Sequence, residues 1–349
     1  MHVREVAKRW ARWGHEVTIF CGRYEGCRKK DELDGVEIIR GGGPYDVYVH
    51  AAREYLWNLR RRNYDVVIDD INGVPFFTPL YVERPKVAII HHLVKDVFFV
   101  ELPWHKAAVG YVAERIIPLA YRGVPFIAVS ESTKEDLITL RLPEENITVV
   151  HYGLNNEVFE GGKKSPFPTV LYFNRLKRYK NVDHLIRAFK IVKERISKAK
   201  LLIVGCRGGE YEEELKRLVS SLNLQNDVEF HAFIKDAGQK NRMLQRAWIH
   251  VLPSRREGWG ISVIEAAICR TPTIGYNVPG LNCSVRNDKT GILVPYADIE
   301  ALAKSMTRIL TNDELREKLS KGAVEWAKRF IWDKTAEETL QVLKRVISS

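Results

Sequence analysis

Cysteine is scarce: five residues, at 21, 27, 206, 269 and 283, are scattered over 349 positions with no C-x-x-C spacing. An odd set without that spacing excludes a disulfide framework and a cysteine-rich zinc module, and reads as reduced thiols in a cytosol. Long apolar runs are missing too, since charge interrupts each one short of the roughly 18 residues that cross a bilayer. Charges also arrive within the opening "MHVREVAKRW", before any apolar core, which reads against a secretory leader. The stretch "VGCRGGEY" (204–211) lacks the G-x-G-x-x-G of a dinucleotide turn, and "GGKKS" (161–165) lacks the upstream glycine of a P-loop.

What is present is an ordinary globular composition, 45% hydrophobic and 28% charged, on a chain long enough for two domains. The net charge of +11 is uneven. Residues 1–160 carry 21 Lys/Arg against 23 Asp/Glu, leaving 34 against 21 for residues 161–349. A basic second half suits an anionic ligand such as a nucleotide diphosphate, a nucleic acid or an anionic membrane. Nucleic acid is disfavoured, because residues 174–200 interleave few aromatics with their basic cluster.

Short Val/Ile-rich runs alternate with amphipathic helical patterns. Strands are expected at 16–20, 64–69, 86–90, 126–130 and 147–150, and again at 169–173, 200–204, 228–231, 248–252 and 271–276. Near-continuous apolar strands between amphipathic helices indicate parallel sheets covered on both faces. The Gly-, Pro- and Lys-rich "NNEVFEGGKKSPFPT" (155–169) reads as a linker. The expected fold is α/β, with Rossmann-like domains over 1–158 and 166–331 facing a cleft. A last helix, 332–349, could pack back on the first domain.

"HVREVAKRWARWGHEV" is already a helix, with Val3, Val6, Ala7, Trp10 and Ala11 on one stripe and Gly14 at its stop. No strand precedes it, so the first strand of a doubly wound domain, with the turn that follows it, is expected to be missing. The two strands that would flank it should then close up or expose their edges. The stretch 96–121, "DVFFVELPWHKAAVGYVAERIIPLAY", is aromatic and apolar. It reads first as a long core helix, and alternatively as an acceptor groove or membrane-surface contact.

Two segments carry candidate chemistry. "LYFNRLKRYKNVDHLIRAF" (171–189) puts Arg175 and Lys180 between a strand and a helix, where α/β sheets bind ligands and where two cations neutralise a diphosphate. "PSRREGWGISVIEAA" (253–267) places Glu257 in a glycine loop and Glu265 one turn into the following helix. Gly258 and Gly260 allow close backbone approach to an anion, and Glu265 can accept from a vicinal diol such as that of ribose. A single glutamate there suits a helix dipole; the pair suits it poorly.

Those segments, with "LLIVGCRGGEYEEELKRL" and "KTGILVP" later, and "RWGHEVTIF", "AIIHHL", "AVSESTKEDL" and "VVHYGLNNEVF" earlier, closely resemble the retaining glycosyltransferases of family 4, of GT-B fold. The resemblance covers nearly the whole chain. It implies that Arg175 and Lys180 hold the donor pyrophosphate and that the amides of Gly258, Trp259, Gly260 and Ile261 lie near the phosphates. Glu257 would engage the transferred sugar, Glu265 the ribose, and His91 of "IIHHL" the cleft near the sugar, making His91 and Glu257 the catalytic candidates. The implied reaction moves a hexose from a UDP- or GDP-sugar co-substrate to a glycan or lipid-linked acceptor, with no further cofactor. The absence of a D-x-D sequence agrees with metal independence. The implied location is cytoplasmic, with peripheral contact at the inner membrane face. Asn174, Arg270 and Cys283 depart from residues common in the family. With the first strand missing, the alternative is a non-catalytic nucleotide-sugar-binding relative.

Overall fold

The computed structural model describes residues 2–154, 162–234 and 236–348, so 155–161 of the expected linker lie outside the described residues. The chain forms two compact units, one of residues 1–98, 103–153 and 331–349, the other of 99–102 and 154–330.

In the first unit, β1 (Thr18–Cys21), β2 (Lys30–Leu33) and β3 (Val36–Arg40) make one sheet in the order β1-β3-β2. β1 and β3 run parallel, whereas β2 and β3 form a hairpin. Its two-residue turn, Asp34–Gly35, has φ of 54° and 77°, as the hairpin turn that follows strand twist requires. A second sheet, all parallel, holds β4 (Val67–Ile71), β5 (Lys86–Ile90), β6 (Phe126–Ala128) and β7 (Ile147–Val149) in chain order. The two sheets do not close up: among the described residues β1 and β4 each end a sheet. Ile71, Ile90, Ile117, Tyr121 and Phe126 fill the core beside the second sheet.

The first helix, His2–Arg12, packs on the last, Trp332–Ser348, through Val6, Ala7 and Trp10, and the Trp10 indole donates to Ala336 O at 2.9 Å. A Cβ on Gly153 would lie 2.1 Å from the Trp332 nitrogen, so only glycine lets the chain pass there.

The 96–121 stretch is corrected in two ways. It forms two helices, Val97–Glu101 and Trp104–Ala120, because Pro103 interrupts it. In the longer one, only the face of Ala107, Gly110, Ala113, Glu114 and Ile117 is buried, while Trp104, Val109, Val112, Ile116 and Leu119 are exposed. No helix of the described residues is long and apolar enough to cross a membrane.

In the second unit, β8 (Thr169–Phe173), β9 (Lys200–Cys206), β10 (Val228–Ala232), β11 (Ile249–Leu252), β12 (Thr273–Tyr276) and β13 (Gly291–Val294) form one parallel sheet, ordered β10-β9-β8-β11-β12-β13. Every residue of β8, β11 and β12 is buried, the two-sided burial that their unbroken apolar runs require. From β8 the chain winds outward to β10, and from β11 it winds the other way. The C-terminal ends of β8 and β11 therefore flank a crevice, where such sheets bind ligands.

Candidate active site

Two loops leave that switch point. After β8 come Asn174 to Lys180, then helix Val182–Arg195; after β11 come Pro253 to Gly260, then helix Ile261–Ile268. They are stitched together: Arg255 N donates to Tyr179 O at 2.8 Å, and the Asn181 amide to Pro253 O at 3.0 Å.

Lys180 is 3% exposed, and its ammonium lies 2.5 Å from Glu257 Oε1. Ser254 Oγ donates to the same oxygen at 2.6 Å. Burial opposes the charge on Lys180, but the Glu257 carboxylate more than offsets it, and the lysine's pKa is raised. The pair is thus a built ionic unit at the strand ends. The other cations of this loop are also engaged, Arg178 with Glu214 at 2.7 Å and Lys177 with Glu101 at 3.4 Å. Arg175 differs. It is exposed, and among the described residues its guanidinium has no ion pair. Its backbone is fixed, its carbonyl accepting from Tyr172 OH at 2.8 Å.

The glycine loop rests against the next turn. Glu257 N donates to Pro279 O at 3.0 Å, and a Cβ on Gly280 would fall 2.2 Å from Glu257 O. Gly260, at φ 73°, opens the helix Ile261–Ile268, and the buried Trp259 packs edge-on against Phe330 with ring centres 4.9 Å apart. Glu265 projects from that helix to Lys240 Nζ at 2.5 Å, from helix Ala237–Arg246.

His91 belongs to the first unit, just past β5. Its Nε2 meets Asp70 Oδ1 at 3.0 Å, its Nδ1 meets the Tyr152 hydroxyl, and the His2 ring stands edge-on to it at 5.4 Å. Burial pushes His2 down to about 4; burial also raises Asp70, but the hydrogen bond to His91 and the charges of His91 and His2 together outweigh it and hold Asp70 below the usual carboxylate range. The ligand atoms of His2, Asp70 and His91 lie within 4.8 Å of one another, close enough to share a divalent cation.

Comparison with known proteins bears on both halves. Residues 155–326 match the family described as "Glycosyl transferases group 1", and residues 1–158 match "Glycosyltransferase Family 4". The chain belongs to the GT-B glycosyltransferases. It is 28% identical to an uncharacterised glycosyltransferase of Methanocaldococcus jannaschii, over 64% of this chain and 60% of that protein. It is 27% identical to a D-inositol 3-phosphate glycosyltransferase of Thermobispora bispora, over 98% of this chain and 88% of that one. The fold of a sucrose-phosphate synthase from Thermosynechococcus elongatus superposes with a TM-score of 0.83 at 21% identity, covering 99% of this chain and 92% of the other.

In this glycosyltransferase the switch point of the second unit gathers Arg175, Lys180, Glu257 and the loop Gly258–Ile261, with Glu265 on the helix that follows. The sequence did not disclose Ser254 and Lys240 as partners of the two glutamates, nor Asp70, His2 and Tyr152 around His91. Ser254 and Tyr152 lie within the motif segments without any local sign of their partners, whereas Lys240, Asp70 and His2 lie outside those segments and reach their partners only through the fold.

Proposed function

We propose that this glycosyltransferase moves a hexose from a UDP- or GDP-sugar to a glycan or lipid-linked acceptor, with retention of configuration and without a divalent ion on the diphosphate. The observation that carries the reading is Glu257, held by Lys180 and Ser254 beside the glycine loop and within the same switch-point crevice as Arg175, which has no ion pair among the described residues. Arg175 and the amides of Gly258 to Ile261 supply positive potential for the diphosphate, and Lys180 adds to it while fixing Glu257. Glu257 meets hydroxyls of the transferred sugar and Glu265 those of the ribose; His91, oriented by Asp70 and Tyr152, is the catalytic candidate of the first unit. In the transfer, the bond from the anomeric carbon to the phosphate oxygen breaks and the diphosphate leaves with the electron pair. The acceptor hydroxyl bonds to that carbon on the same face, and its proton passes to the departing phosphate oxygen. The protein's part is positioning and electrostatic stabilisation. Family matches in both halves support an enzyme over a non-catalytic relative.

The test is turnover of UDP- and GDP-hexoses, with the product anomer read by NMR. Failure of the folded chain to turn over any of them refutes the enzyme reading, and an inverted product refutes retention. Titration calorimetry then separates the two acids. Glu265→Gln should weaken nucleotide diphosphate binding by about 1.5–3 kcal/mol, one charge-assisted contact. Glu257→Gln should spare that binding and lower kcat on the order of 100-fold. Equal loss of nucleotide affinity in both would refute the division of roles.

Peripheral membrane contact belongs to the same proposal. Helix Trp104–Ala120 exposes Val109, Val112, Ile116 and Leu119 on one stripe, alongside Lys106 and Arg115. Its single acid, Glu114, is turned inward and accepts from Lys95 N at 2.8 Å. An apolar face with exposed cations and no exposed carboxylate suits an anionic lipid surface. Val112→Asp with Ile116→Asp should abolish co-sedimentation with phosphatidylglycerol vesicles; unchanged sedimentation refutes this contact.

A further inference from the structure

A second basic site lies in the first unit, where the parallel strands β1 and β3 end. There a pocket of about 430 Å³ is lined by Arg23, Lys29, Arg40, His50, Arg53 and Glu54. The arrangement follows from the chain. Arg23 stands two residues past the end of β1, Arg40 ends β3, and Lys29 immediately precedes β2, which pairs with β3. His50, Arg53, Glu54 and Trp57 lie at i, i+3, i+4 and i+7 of helix Val47–Trp57, so one face of that helix closes the pocket. The opposite rim is bare backbone at Gly41–Gly42, where Gly42, at φ 70°, has no room for a Cβ: it would lie 2.8 Å from the Val47 nitrogen.

The charge is one-sided. Four permanent cations meet a single lining carboxylate. Arg40 is paired with Asp31 at 3.2 Å, and Arg53 lies over the Trp57 ring at 5.2 Å. Arg23 and Lys29 are exposed, and among the described residues neither side chain has a hydrogen-bonding or ionic partner. Cations left unneutralised around a concavity focus a positive field on whatever enters it. The volume is that of a small-molecule site rather than a macromolecular groove. Phe20 and the exposed Trp57 add aromatic surface beside the charges.

We infer that this pocket binds a phosphorylated sugar or polyol, its phosphate held by Arg23, Lys29 and Arg53 and its ring lying against Trp57. The assignment of that ligand as the acceptor rests on the transferase reading above; the binding itself does not. The ligand can arrive free or as the headgroup of a lipid, since both present the same phosphate and hydroxyls.

Titration calorimetry on the full chain uses glucose 6-phosphate, glucose and UDP as probes. Glucose 6-phosphate should bind at least about tenfold more tightly than glucose, the worth of one charge-assisted contact. Arg23→Gln with Lys29→Gln, both on the surface, should remove that preference while UDP affinity stays unchanged. Arg53→Gln alone should weaken glucose 6-phosphate in the same direction. Glucose 6-phosphate binding no tighter than glucose, or surviving all these substitutions intact, overturns the inference. If it binds as stated but UDP does not, the pocket stands and the donor-site reading falls. Phosphatidylinositol-containing vesicles against pure phosphatidylcholine vesicles distinguish the source. Retention that the double substitution abolishes identifies a lipid headgroup; no retention, with glucose 6-phosphate still bound, identifies a free ligand.

Discussion

Lys180→Met should destabilise the second unit by about 3–5 kcal/mol, as removal of one partner from a buried ion pair does. The side chains of Lys180 and Glu257 are 3% and 11% exposed, so the methionine would leave a carboxylate with little water and, among the described residues, Ser254 as its remaining side-chain donor. The lost attraction is the smaller part of this cost. The larger part is a desolvated charge without compensation. The double variant Lys180→Met with Glu257→Met removes both charges and should recover most of the loss. Urea unfolding followed by tryptophan fluorescence measures both. A single variant within about 1 kcal/mol of the parent would mean that solvent or another cation reaches Glu257, and the pair would lose its structural role. Turnover of Lys180→Met should fall on the order of 100-fold, because Glu257 is no longer held in one orientation.

Gly205→Ala is the second large effect. Gly205, within β9, has φ 131°, and a Cβ there would lie 1.9 Å from the Asn174 carbonyl oxygen. That oxygen belongs to the loop presenting Arg175, so an alanine must push the loop off the sheet as well as adopt a backbone conformation that L-residues avoid. Strain and overpacking together cost about 2–5 kcal/mol. The displaced Arg175 should weaken nucleotide diphosphate binding at the same time. Gly208→Ala is the control, since Gly208 has φ 80° but a Cβ there would meet nothing within 4 Å. It should cost about 1–2 kcal/mol, from backbone conformation alone, and leave binding unchanged. Equal losses in the two variants would show that the contact with Asn174 is immaterial.

Much of the architecture was legible because its causes are local. "KVAII" and "TVLYF" became strands over the expected residues, 86–90 and 169–173, since a β-branched or aromatic run between amphipathic helices has few other solutions. β3, "VEIIR", is not among the expected strands, although the Asp34–Gly35 turn before it is a strong hairpin signal. β2 carries no apolar pattern at all, its four residues all being exposed, and takes its form from pairing with β3. The 104–120 helix is apolar on opposite sides, so periodicity assigned it no direction; packing of Gly110 and Ile117 chose the inward face.

Local pattern was enough to specify parallel α/β sheets, the glycine loop after β11 and two glutamates on either side of a helix start, because hydrophobic period and glycine placement act over a few residues. Only the folded chain reveals that Glu257 is held by a lysine 77 positions away, that Glu265 meets Lys240, and that the final helix clasps the first unit at Gly153. A carboxylate accepts any cation the fold brings within a few ångströms, and no local pattern records which one arrives.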